Sequence, residues 1–291
     1  MDKQAGYLQT ILEAYPNLII NTAHLHKSDG QFNDILFIND ELIFRFPRYA
    51  EVMDGFLQEV ELLQKLQGCL SLPIPNPIYV SENSRTIGNV FMGYRIIEGE
   101  PLLREVLNAI QDAQMLQIFA QQLAGFLNEL HSISCESLSM KLTAPDTLTE
   151  TEIFYENIQK HLFVFMRSDA RTQVSQHFEE FINEPRLHQY KPSIHHGDFG
   201  SSNILFDSHT GRISGIIDFG FAGLGDPALD IAAISTFGDS FFARICERYP
   251  VTESTLERAK FYRGTYALYE ALHGFRNNDK EAFTSGMEQY I

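Results

Sequence analysis

The sequence predicts an α+β chain of two lobes, the first β-rich and the second mostly helical. Three observations carry that reading. Short β-branched and aromatic runs broken by polar turns fill the first hundred residues, and apolar side chains after Pro101 recur at helical spacing. Residues 195–231 then return to short strands dense in Gly and Asp. The expected boundaries are 1–97 for the first lobe and 98–291 for the second, with helical parts at about 98–190 and 227–291 and a hairpin at 195–220.

Leu18–Thr22, Ile35–Ile38 and Leu42–Phe46 read as strands, with Asn39-Asp40-Glu41 turning the last two. Asp54 would cap a helix whose stripe is Phe56, Leu57, Val60, Leu63 and Leu66. A stiff connector, Leu72-Pro73-Ile74-Pro75-Asn76-Pro77, leads to a strand at Ile78–Val80. Asn89–Ile97 is the next strand, and Glu98-Gly99-Glu100-Pro101 breaks it. Ala113–His131 is apolar on more than one face, which suits a buried central helix. Thr151–Ile182 and Glu253–His273 also read as helical.

Composition narrows the function classes. The 291 residues hold 44% hydrophobic side chains, enough for a sizeable core, and 38 acidic against 22 basic groups leave a net charge of −16. Such a field repels phosphate backbones and anionic lipid, so nucleic acid and membranes are poor partners, whereas small cations are attracted. Cys69, Cys135 and Cys246 are far apart with no CxxC spacing, and no long apolar run occurs. A soluble, cytoplasmic monomer is expected.

The chemistry concentrates in His195-His196-Gly197-Asp198-Phe199-Gly200-Ser201-Ser202-Asn203 and in Ile217-Asp218-Phe219-Gly220. Ile204–Phe206 and Ser214–Ile217 would form a hairpin centred on Thr210-Gly211. That register sets Asn203 opposite Asp218, with Cβ atoms about 5 Å apart. An amide oxygen and a carboxylate so placed suit Mg²⁺ that also binds substrate phosphates, and Asp198 can accept a hydroxyl proton. H-x-D-x4-N alone arises by chance in roughly one chain in a hundred of this size, and the phased D-F-G lowers that greatly.

On SDGQFND, LIFRFPR, LQEVELL, FMGYRIIEG, FLNELHS, IHHGDFGSSNIL and GIIDFGFAGLGDPALDIA, the chain resembles the aminoglycoside phosphotransferase family, most of all its 2″-phosphotransferase subgroup. The resemblance implies a bilobal protein-kinase-like fold and transfer of the γ-phosphoryl of Mg²⁺-bound ATP or GTP to a hydroxyl. It makes Asp198 the catalytic base, Asn203 and Asp218 the metal ligands, and His196 a prop of the catalytic loop. Glu59 would pair with Arg45, which stands where the family has lysine. Ser28 and Gly30 would lie in the phosphate loop, with Asn33 fitting its pattern, and Tyr94, Arg95 and Ile97 in the hinge against the purine. A bulky Tyr94 narrows the adenine slot and favours acceptance of GTP. Acceptor sites in the family are acidic, and residues 98–160 hold ten acidic side chains against three basic ones. Glu270, together with Asp198, is a candidate acceptor contact.

Plainer readings stand beside these. Asp198, Asn203 and Asp218 could be turn and cap residues, and His195, His196, Asp198 and Asp218 a transition-metal cluster. On its own Glu59 reads as a solvent-facing helix residue, Tyr94 as a core aromatic, and the acidic surplus as a solvated face. Asp226 and Asp230 would cap and anchor the helix opening near Pro227. The alternative functions are a metabolic kinase of choline, homoserine or fructosamine type, and a nucleotide-binding module with degraded catalysis.

Overall fold

Alternation along Asn33–Ile38 decides how the first sheet is covered. Asp34, Leu36 and Ile38 are buried while Asn33, Ile35 and Phe37 are half-buried, as a strand between two different environments requires. The computed structural model describes residues 2–26, 32–81 and 85–291. Ser28 and Gly30 therefore lie outside the described residues.

The elements of the first part are α1 (Lys3–Ala14), β1 (Ala23–His26), β2 (Asn33–Ile38), β3 (Leu42–Pro47), α2 (Met53–Leu66), β4 (Tyr79–Val80) and β5 (Met92–Arg95). The sheet is antiparallel in the order β1-β2-β3-β5-β4. One face carries Leu36, Ile38, Phe44, Phe46 and Phe91 and is covered by Tyr7 and Ile11 of α1. Tyr7 stacks on Phe46 at 3.9 Å. Its hydroxyl donates to buried Asp34, which also pairs with Lys3 at 2.6 Å and Arg48 at 2.8 Å. The other face presents Ile35, Phe37, Ile43, Arg45 and Tyr94 to a cleft beside α2.

The second part runs through β6 (Glu100–Pro101), α3 (Arg104–Ala109), α4 (Ala113–Ser132), α5 (Cys135–Leu138), α6 (Thr147–His161) and α7 (Ser168–Ile182). It continues with β7 (Ser193–His195), β8 (Ile204–Asp207), β9 (Arg212–Ile216), β10 (Gly223–Gly225), α8 (Ala228–Ile234), α9 (Asp239–Cys246), α10 (Glu253–Asn277) and α11 (Lys280–Met287). α4 buries Phe119, Leu123, Phe126, Leu127 and Leu130 in the main core, as its apolar faces predict. β8 is flanked by β6 and β9, and β7 pairs with β10. No helix among the described residues is long and apolar enough to cross a membrane.

Several local expectations are corrected. Leu18–Thr22 is not a strand; β1 begins at Ala23. One side chain, Asn39, satisfies that backbone instead, accepting from Asn21 and Thr22 and donating to the Ile19 carbonyl. Asn39 and Asp40 both sit at φ 55°, within the three-residue turn 39–41 between β2 and β3. α1 was not expected, although Tyr7 and Ile11 are one helical turn apart. Asp54 is not the cap of α2. A short 3₁₀ turn, Ala50–Val52, leads directly into the helix, and Asp54 pairs with Arg85 at 2.6 Å on the surface.

Candidate active site

Arg45 and Glu59 meet beneath the cleft. Arg45 comes from β3 and Glu59 from α2; both are buried, and Arg45 Nη1 stands 2.5 Å from Glu59 Oε1. Burial opposes the charged guanidinium most, but Glu59, Tyr94 and Asp218 together outweigh it and raise the Arg45 pKa. Burial pushes the Glu59 carboxyl upward while Arg45 pulls against it. Arg45 Nη2 reaches Asp218 Oδ1 at 3.3 Å, so one fork joins α2 to the metal-ligand candidate. Tyr94 lies diagonally across β3 and β5 from Arg45, and burial pushes its phenol up to about 12. The cleft has a volume of about 480 Å³.

The loop that carries Asp198 is built around one buried carboxylate that the sequence assigned only to anchoring a helix. Asp230, on α8, accepts from the backbone N–H groups of His196 and Gly197 at 2.8 Å each and meets His131 Nε2 at 3.0 Å. Burial alone would raise its pKa, yet the His131 bond and the surrounding imidazoles hold it well below the carboxylate range. Gly197 has φ +81°, and a Cβ there would stand 2.3 Å from the Phe221 carbonyl. His196 is fully buried, its Nδ1 accepting from Asp198 N at 3.2 Å and its Nε2 donating to Ile217 O at 2.9 Å. Both ring nitrogens are thus engaged in holding the loop against the Asp218 segment, which is a propping geometry.

Asp198 opens from this loop into solvent. Asn203 Nδ2 donates to its carbonyl and to its Oδ2, both at 2.9 Å. The protein mass around the carboxylate raises its pKa, against the Asn203 hydrogen bond and the His196 ring that lower it. With its nitrogen so committed, Asn203 keeps the amide oxygen for a cation. The β8–β9 register differs from expectation: Ile204 faces Ile216 and Phe206 faces Ile213, with a shift between Leu205 and Phe206. Asn203 therefore faces Ile217, whose N–H donates to its carbonyl at 2.9 Å. Asp218 follows at φ +60°, with its side chain 53% exposed. The bulge turns the chain so that Asp218 is delivered by a left-handed residue rather than by direct pairing.

An amide oxygen and one exposed carboxylate are hard donors, too few for a closed cage, and that set fits Mg²⁺ which retains water and phosphate ligands. Among the described residues no group of three His, Cys, Asp or Glu could hold a metal ion, so the alternative transition-metal cluster has no support.

The remaining candidates divide. Ile97 lines the cleft with Tyr94. Ile96 N donates to Glu41 O at 2.9 Å, which closes one hinge amide within the sheet. The Arg95 side chain instead borders a second hollow, beside Tyr15 and Tyr79, and approaches Glu41. Asp226 accepts from Ala228 N, Arg258 and Tyr262, capping α8 while pairing with α10 at 2.7 Å. Glu270 is exposed on α10. Sequence reasoning gave no role to His131 or Arg258; His131 is the penultimate residue of the FLNELHS segment, and Arg258 falls one turn before Tyr262, the latter two both facing Asp226.

The phosphotransferase enzyme family model matches residues 27–262. The chain belongs to that family. This phosphotransferase is 27% identical over 267 residues to viomycin phosphotransferase of Streptomyces vinaceus, covering 90% of this chain and 91% of that one. The GDP complex of wild-type aminoglycoside 2'-phosphotransferase-IIIa shares its kinase-like fold with a TM-score of 0.87 at 24% identity, over 98% of this chain and 96% of that one. A macrolide 2'-phosphotransferase type I superposes with a TM-score of 0.76 at 19% identity, over 100% and 98%.

Proposed function

We propose that this phosphotransferase moves the γ-phosphoryl of Mg²⁺-bound ATP or GTP onto a hydroxyl of a small cationic acceptor of aminoglycoside type. In this reading residues 1–97 bind the nucleotide and residues 98–291 supply catalysis and the acceptor site. The observation that carries it is Asp198, a solvent-open carboxylate on a loop pinned by Asp230 and oriented by Asn203.

Asp198 accepts the proton of the attacking hydroxyl, and its raised pKa brings it closer to the working range of a base. Arg45 directs its guanidinium from the sheet toward the nucleotide phosphates while Glu59 fixes it. Asn203 and Asp218 would hold Mg²⁺, which would neutralise negative charge on the nucleotide phosphates during transfer. His196 keeps the loop in place and moves no proton. Tyr94, large and buried at the back of the cleft, shapes the base slot and supports acceptance of GTP beside ATP. Acidic side chains of residues 98–160 favour a cationic acceptor, and the similarity to viomycin phosphotransferase supports an antibiotic alcohol.

The test is a panel of kanamycin, viomycin, choline and homoserine, each with Mg-ATP and with Mg-GTP, followed by phosphorus NMR. A phosphomonoester forming on an antibiotic is the expected result. Ester on choline or homoserine alone, or nucleotide-dependent stabilisation with no ester on any acceptor, contradicts it.

A further inference from the structure

Asp230 takes hydrogen bonds from the loop it pins and from one group that leads away from it. Oδ1 accepts from Gly197 N and Oδ2 from His196 N, and Oδ2 also meets His131 Nε2 at 3.0 Å. The carboxylate is buried, held ionised and able only to accept, so the ring nitrogen that faces it carries the proton. That leaves His131 Nδ1 as a bare acceptor, and the Tyr249 hydroxyl stands 2.7 Å from it. Burial pushes this phenol up to about 12, so at neutral pH it keeps its proton and donates. Tyr249 lies buried just past the end of α9, its ring edge-on to the imidazole with centroids 5.5 Å apart. Asn128, one turn before His131 on α4, donates to the neighbouring Arg248 carbonyl at 3.2 Å. One face of α4 therefore holds both the backbone of this segment and its hydroxyl.

We propose that Tyr249 is a positioning residue for phosphoryl transfer: its hydroxyl holds the His131 imidazole in the tautomer that donates from Nε2 to Asp230, and Asp230 so held fixes the loop that carries Asp198. The inference rests on the phosphotransferase reading above and adds to it a residue that acts only through His131 and Asp230. In the opposite tautomer Nε2 would turn a lone pair toward a carboxylate oxygen 3.0 Å away, a repulsion that works against the two loop amides on the same carboxylate. Removing the hydroxyl frees the choice of tautomer. A protonated ring restores the bond to Asp230, because an imidazolium donates from both nitrogens. The titratable groups that face this ring are Asp230 from α8, Tyr249 from beyond α9 and His195 from β7.

Tyr249→Phe keeps the ring and removes the hydroxyl. Long-range proton–nitrogen NMR of the histidine rings in the full chain reads the tautomer, and kinetics with Mg-ATP and the best acceptor read its consequence. Wild-type His131 should show the Nε2–H form, and Tyr249→Phe a mixture of tautomers. In the variant kcat should fall about tenfold while the KM for Mg-ATP stays within about twofold of wild type. That kcat deficit should narrow between about pH 8 and about pH 6 as the ring takes up a proton, a response that lost packing does not give. Should Tyr249→Phe fold poorly, the wild-type spectrum still decides, since an Nδ1–H imidazole at His131 overturns the proposal. An unchanged kcat in Tyr249→Phe overturns it, as does a deficit equal at both pH values. Wild type that transfers phosphate to no acceptor overturns the phosphotransferase reading, and the positioning role with it.

Discussion

At Arg45 one guanidinium serves two carboxylates of unequal burial. Glu59 is 3% exposed and has no solvent to fall back on, whereas the Asp218 side chain is 53% exposed and can be shared with a cation. Removing one partner of a buried pair costs about 3–5 kcal/mol, mostly because the other charge is left behind. Arg45→Met should therefore lower the unfolding free energy by about 3 kcal/mol in urea titrations and weaken Mg-nucleotide binding. Arg45→Lys should keep the Glu59 pair and most of the stability, while its single ammonium cannot fork to Asp218 and nucleotide affinity falls. A fully stable Arg45→Met would remove the structural half of this account. Asp198 has its own signature at this scale. A base must be ionised, and its pKa is raised, so kcat/KM should fall on acidification with a midpoint above the ordinary Asp value of about 3.9.

Among the elements, α8 and the two segments it organises matter most. Asp230 draws the backbone of His196 and Gly197 onto α8, and the positive φ at Gly197 lets that loop pass under Phe221. Gly197→Ala puts a Cβ 2.3 Å from a backbone oxygen in a conformation L residues avoid, so the loop must shift. Thermal unfolding should show a loss of about 1–3 kcal/mol, and transfer should fall far more than nucleotide affinity. Unchanged kcat in Gly197→Ala would show that the loop conformation does not matter.

The central helix α4, the core stripe of α2 and the hairpin strands were legible because periodicity alone reports them. The hairpin register was not, since a bulge between Leu205 and Phe206 depends on how β6 and β9 flank β8 rather than on turn spacing. Asn39 likewise replaced a predicted strand through side-chain hydrogen bonds that no local pattern announces. That Asp198, Asn203 and Asp218 lie near one another was legible, because their spacing is tied to one loop and one hairpin.

The whole molecule carries a net charge of −16, yet its cleft must accept a polyanion. Arg45, held by Glu59, is a local exception to that field, while residues 98–160, with ten acidic against three basic side chains, continue it. A buried imidazole, His195, and a half-buried one, His177, add a global pH dependence. Burial holds His177 and His195 below the ordinary imidazole value, so the unfolded chain binds protons that the folded chain refuses. Their stabilising contribution is complete above about 6.5 and is lost as pH falls from there through their folded values. Urea midpoints should accordingly be lower at about pH 5.5 than at about pH 7.5, and His177→Gln should flatten part of that slope.

The central claim is that Asp198 acts as the base on a loop that the rest of the fold holds ready. Asp198→Asn keeps the size of the side chain and removes the proton acceptor. Parallel measurement of Mg-nucleotide affinity and of phosphoryl transfer to the best acceptor tests it most directly. The account predicts nucleotide binding within about twofold of wild type and transfer reduced by at least 10²-fold. Transfer by Asp198→Asn at the wild-type rate would contradict it.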